Sequence, residues 1–159
     1  MQARPRDQLL PPRGERCSEQ GFEKLFQGGH PQMIHRIDSS KSPAEAGKAL
    51  EAAAPRHKFG VLAVHDLQAK IKDKGLDFDQ ACLVYEVCNP QQAKRVLEAN
   101  LEISTALPCR IAIYQKSAGS TLATLRPTML LRMFGTPGLD PVAAEVEQTL
   151  LEMMEEAAA

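Results

Sequence analysis

Apolar residues recur along this chain with two spacings, and the switch between them marks out the elements. From Ala81 to Val87 the run is apolar and β-prone, with Val84, Tyr85 and Val87 close together. It predicts a strand buried on at least one face. Asn89-Pro90 ends it and opens a helix. Asn89 suits the cap, Pro90 the first helical position, and Gln92 the partner position of a capping box. Ala93, Val96, Leu97 and Leu101 then follow at helical spacing and define one buried face. Leu107-Pro108 closes the loop after it. From Cys109 to Lys116 the pattern alternates: Cys109, Ile111 and Ile113 point one way, Arg110, Tyr114 and Lys116 the other.

The remaining elements read off in the same manner. Met33 to Asp38 is a short strand with Ile34 and Ile37 as its apolar members. Ser42-Pro43-Ala44-Glu45 starts a helix with cap, proline and box partner in place. Ala46, Ala49, Leu50 and Ala53 form its narrow stripe, small enough for close packing on a sheet. Lys58 to His65 is the most apolar strand, with Phe59, Val61 and Ala63 expected on one face and Leu62 and Val64 on the other. Asp66 caps a short helix to Lys74, anchored only by Leu67 and Ile71 and closed by Gly75. Ser117 to Ser120 is a hairpin turn into a strand over Thr121–Arg126. Pro127 to Phe134 holds a helical turn. Asp140-Pro141 begins a long helix to about Glu156, with Val142, Val146, Leu150 and Met153 on one face. Leu151 and Met154 widen that face, for a subunit interface or for extended packing within the monomer.

The order β-α-β-α-β-α-β-β-α predicts an α+β fold: a single mixed or antiparallel sheet of about five strands, helices mainly on one face, and a long C-terminal helix. Residues 1–31 stand apart, rich in Arg, Pro and Gly, and read as a flexible extension holding Cys17. The core then spans 32–134 and the final helix 135–159.

Candidate chemistry centres on two cysteines. Cys88 lies one residue before a helix N-terminus, where unpaired N–H groups and the helix dipole can lower a thiol pKa. Cys109 opens the next strand beside Arg110. If the two strands are antiparallel neighbours the thiols meet; if parallel they do not. The plainer reading makes both small buried hydrophobes. His65-Asp66 reads either as an acid–base pair or as a strand end followed by a cap. Glu86, Asn89, Arg110 and His65 are the candidate binding residues around this region. Soft-metal or haem binding by Cys88 or Cys109 with His65 is a third possibility, although two sulfurs and one His do not specify a metal.

Composition narrows the field. The chain has 159 residues, is 43% hydrophobic and 25% charged, and carries a net charge of −1. Neither a basic patch for nucleic acid nor an acidic tail is indicated. With no Trp, five Phe and two Tyr, it lacks stacking platforms for bases. Four cysteines without a Cys-x-x-Cys read as reduced thiols of a cytoplasmic protein. No apolar run reaches the ~18 residues of a membrane span. Glycine-rich phosphate loops and the Gly-x-Ser-x-Gly elbow are absent, so no cofactor and no reaction is named.

Several of these pieces together resemble a known family. Ser42-Pro43, Phe59-Gly60-Val61-Leu62, His65-Asp66-Leu67, Tyr85-Glu86-Val87-Cys88-Asn89-Pro90, Leu107-Pro108-Cys109-Arg110 and Ile113-Tyr114 look like the prokaryotic domain of unknown function 302. The likeness covers roughly His35 to Arg132, with Cys-Asn-Pro and Leu-Pro-Cys its most specific parts. It implies a compact α+β domain that tends to form homodimers. It carries over no activity. Some relatives occur in sulfur-oxidation settings, which favours a thiol role for Cys88 and Cys109. The expected function is therefore a small dimeric ligand-binding module, with a sulfur-transfer or redox protein as the alternative.

Overall fold

The structure is a computed structural model and describes residues 33–159. The extension expected over 1–31, with Cys17, lies outside the described residues.

Among the described residues five strands form one sheet: β1 (Ile34–Ser39), β2 (Gly60–Asp66), β3 (Cys82–Cys88), β4 (Cys109–Lys116) and β5 (Gly119–Leu125). Their spatial order is β1-β5-β4-β3-β2, and every neighbouring pair is antiparallel. The helices are α1 (Pro43–Ala53), α2 (Leu67–Lys72), α3 (Pro90–Ala99), α4 (Pro127–Arg132) and α5 (Asp140–Ala158). The fold is α+β, as the order of elements predicts.

Local chemistry accounts for the helix starts. Ser42 accepts from the Glu45 N–H while Glu45 accepts from the Ser42 N–H at 2.9 Å, a complete capping box at α1. Asp66 Oδ1 accepts from the Ala69 N–H at 2.9 Å and starts α2. That helix buries no side chain, and it ends two residues before the expected Lys74.

The sheet packs its core face under α1 and α5. Ala46, Leu50 and Ala53 of α1 are fully buried. Gly47 is what lets this helix come so close: a Cβ there would collide with the Tyr85 hydroxyl on β3. Ala49, expected in the stripe, is only partly buried, and Gly47 takes its place on the buried face.

β2 departs from simple alternation. Val61 pairs with Val87 and Ala63 with Glu86, leaving Leu62 as the extra residue of a bulge. Val61 and Ala63 therefore face opposite sides of the sheet, not one side as alternation alone predicts. Phe59 precedes the strand and is buried in the core.

The broad apolar face of α5 is used inside the monomer. Leu150, Met153 and Met154 are fully buried and Leu151 packs against the same core. Two bonds tie the end of this helix to the β1–α1 corner. Ser39 Oγ donates to the Ala158 carbonyl at 2.6 Å and Lys41 Nζ to the Ala157 carbonyl at 2.9 Å. At its middle, Glu147 accepts from the Thr128 N–H at 3.0 Å and supplies α4 with the cap that its own Arg126 lacks.

Candidate functional site

The antiparallel pairing of β3 and β4 decides how the two central cysteines lie. Val87 stands opposite Cys109, so Cys88, the next residue, ends β3 where β4 begins. Both cysteines line one cavity of about 450 Å³. Phe59, Val87 and Val96 form part of its apolar wall, and Pro108, Leu131 and Phe134 another part. α3 covers it because Asn89-Pro90 turns the chain sharply at the end of β3. Its Gln92, Ala93 and Val96 all line the cavity.

Burial acts on both thiols in the same direction. Burial pushes the Cys88 thiol above its ordinary value. Burial pushes Cys109 up to about 11, and the neighbouring Cys88 adds to the rise. Loss of solvent disfavours the charged form of both thiols.

The other candidate residues divide into two groups. Asn89 is consumed by capping: its Oδ1 accepts from the N–H groups of Gln91 and Gln92 at 3.1 and 3.2 Å. Glu86, Arg110 and His65 come together on the sheet face opposite α1. Arg110 Nε donates to Glu86 Oε1 at 3.2 Å, and His65 Nε2 lies 3.4 Å from the same oxygen. Lys70 Nζ donates to His65 Nδ1 at 2.9 Å, which leaves the ring proton on Nε2, towards Glu86. Asp66 is a cap, so the His65-Asp66 acid–base pair is not formed.

Among the described residues no group of three or more His, Cys, Asp or Glu side chains stands close enough to hold a metal ion. His65 is held by Glu86 and Lys70 rather than by the cysteines.

The residue that sequence reasoning assigned differently is Gln92. It occupies the capping-box position, yet its side chain turns away from the cap. Its Nε2 donates to Glu145 Oε1 on α5 at 3.3 Å. Arg95 Nη1 donates to the other oxygen of Glu145 at 2.9 Å. The Gln92 side chain is only 7% exposed, and its Oε1 has no hydrogen-bond partner among the described residues. An amide oxygen left this way costs about 1–3 kcal/mol. The amide cannot relieve this by flipping, because that would set its oxygen against the Glu145 carboxylate. Only the capping pattern was visible in the sequence; the contact to Glu145, 53 residues away, has no local signal.

A profile described as "Domain of unknown function DUF302" matches residues 35–157. The chain belongs to the DUF302 family. The DUF302 match runs through α5, which the motif resemblance stopped short of. A crystal structure of an uncharacterised conserved DUF302 protein from Bacillus stearothermophilus is 34% identical to this chain. It superposes with a TM-score of 0.76, covering 80% of this chain and 99% of its own. No curated protein matches this chain. No helix among the described residues is long and apolar enough to cross a membrane.

Proposed function

We propose that this DUF302 chain is a binding module for a small apolar molecule, held in the cavity between the β3–β4 end of the sheet and helices α3 and α4. The observation that carries this reading is the cavity itself. It has about 450 Å³ of space, walls mostly of aliphatic and aromatic side chains, and a few polar groups at fixed positions. Ligand sites share that size and that balance. A cavity lined by apolar groups is poorly hydrated, so filling it with a matching apolar body is favourable.

The test is a fluorescence titration with pyrene, which has no hydrogen-bonding group and reports the polarity of its surroundings. Saturable binding to the native chain is expected, together with its loss in Ala93→Trp, whose side chain would fill the cavity. Equal responses from the two proteins would reject the cavity as the site.

The module is proposed to work as a homodimer, with the second copy seated on the sheet face opposite α1. Arg36, Ala123, Ala112, Val84 and His65 form one row across that face. Its middle is small and apolar. Both signs of charge flank it, with Asp38 and Glu86 beside Arg36 and Arg110, so two copies related by a two-fold axis can match charge to charge. Light scattering on the native chain and on Val84→Arg tests this, with dimer and monomer as the expected masses.

A second reading is thiol chemistry at Cys88 and Cys109. Their place in the lining of one cavity favours it. The upward pKa of both thiols weighs against it, and thiol chemistry ranks behind ligand binding.

A further inference from the structure

We infer that the ligand is amphipathic: a carboxylate held by Arg110 at the mouth of the cavity, on an apolar body that fills the inside. This rests on the binding-module reading and specifies its ligand.

The lining of the cavity runs from dry to wet. Val87, Val96 and Leu131 are buried and belong to its floor. Arg110, Leu125 and Met133 line it too, yet all three are exposed, so they form its mouth. The strand register explains how a charged side chain comes to be there. Ile111 and Thr124 pair across β4 and β5 and are buried in the core face. Their neighbours Arg110 and Leu125 therefore face the open side. The cavity reaches round the end of the sheet to both of them.

Arg110 is the one charged residue in the lining. Its Nε donates to Glu86 Oε1 at 3.2 Å, its single side-chain hydrogen bond among the described residues. Glu86 thus holds the guanidinium by one edge and leaves the two Nη groups for another acceptor. That pair of donors matches the two oxygens of a carboxylate. Glu86 weakens the pull of Arg110 on an anion, but its charge is shared. His65 Nε2 lies 3.4 Å from the same oxygen, and Lys70 Nζ donates to the far side of that ring at 2.9 Å.

The floor sets the direction of entry. A charged head placed there would lose its water without gaining a partner, whereas an apolar chain loses nothing by burial. Head at the mouth and body inside is the one placement that satisfies both ends. An alcohol gains less from Arg110 than a carboxylate does, and an ammonium is repelled by it. The ligand class is therefore the aliphatic or aromatic carboxylic acids.

The experiment uses octanoate, octanol and octylammonium, which share one chain and differ in the head. Each is titrated at neutral pH and low ionic strength as a competitor of bound pyrene on the full chain. Octanoate is expected to compete about tenfold better than octanol, the size of one charge-assisted hydrogen-bonded contact, and octylammonium least well. In Arg110→Gln the preference for octanoate is expected to vanish while pyrene still binds. Octanoate no better than octanol on the native chain, or matched by octylammonium, would overturn the inference while leaving the binding module intact. A preference unchanged in Arg110→Gln would also overturn it, because another group would then be holding the head. Failure of pyrene to bind at all would instead remove the underlying reading. The native-chain comparison decides the matter even if Arg110→Gln does not fold.

Discussion

Gln92 Nε2 donates to Glu145 Oε1 at 3.3 Å, linking the first turn of α3 to the exposed side of α5. The bond fixes the orientation of the amide, because a flipped oxygen would meet the Glu145 carboxylate. Glu145→Ala should release the Gln92 amide and let it rotate. Urea midpoints should then fall, because Gln92 and Arg95 both lose their acceptor. An unchanged midpoint would mean that Glu145 does not hold the first turn of α3.

The thiols should be sluggish. With Cys109 at about 11, only about one thiol in ten thousand is thiolate at neutral pH. Alkylation by iodoacetamide, read residue by residue by mass spectrometry, is expected to be slow at both sites and slower at Cys109 than at Cys88. Rates should climb with pH through and beyond the ordinary 9.0. Fast labelling of either cysteine at neutral pH would revive the thiol reading.

Acid should weaken the fold through Glu147. Burial drives its carboxyl upward, but hydrogen bonds from Thr128 and Arg126 outweigh this and hold it below the ordinary 4.5. A depressed folded-state value contributes stability that is present above 4.5 and fades as pH falls through the folded value. Urea midpoints taken from about pH 6 down to about pH 3 should therefore drop in the native chain and drop less in Glu147→Gln. At neutral pH the same variant should be less stable by roughly 1–3 kcal/mol, since one amide oxygen cannot accept from both Arg126 and the start of α4.

Helix α1 rests on a missing side chain. Gly47→Ala should destabilise by roughly 1–3 kcal/mol through overpacking against Tyr85. Adding Tyr85→Phe removes the oxygen that the new methyl meets, and should recover part of the loss. Additive losses in the double variant would place the strain elsewhere.

The elements that local chemistry controls were legible in the sequence. Ser42, Asp66 and Asn89 act as the caps their positions predict, and the alternation in β4 reads directly as core and open face. What was not legible depends on distance along the chain or on geometry. Leu62 looks like any strand residue, yet it is the bulge that sends Val61 and Ala63 to opposite faces. Whether Cys88 and Cys109 meet turned on strand direction, which no motif between them specifies. Met154 and Leu151 offered an apolar excess with two possible uses, and only packing against α1 and β1 shows that the monomer takes it up. Gln92 matched a capping box in sequence, but a stronger partner, Glu145, lay on a helix formed much later in the chain.

The central claim is that the cavity under α3 holds an apolar molecule. The most direct test is a titration of the isotope-labelled chain with naphthalene, followed by amide chemical shifts in two-dimensional NMR. Saturable shifts clustered at Cys88, Ala93, Val96 and Leu131 are the predicted result. No saturable shifts, or shifts confined to Val84, Ala112 and Ala123 on the opposite face of the sheet, would contradict the account.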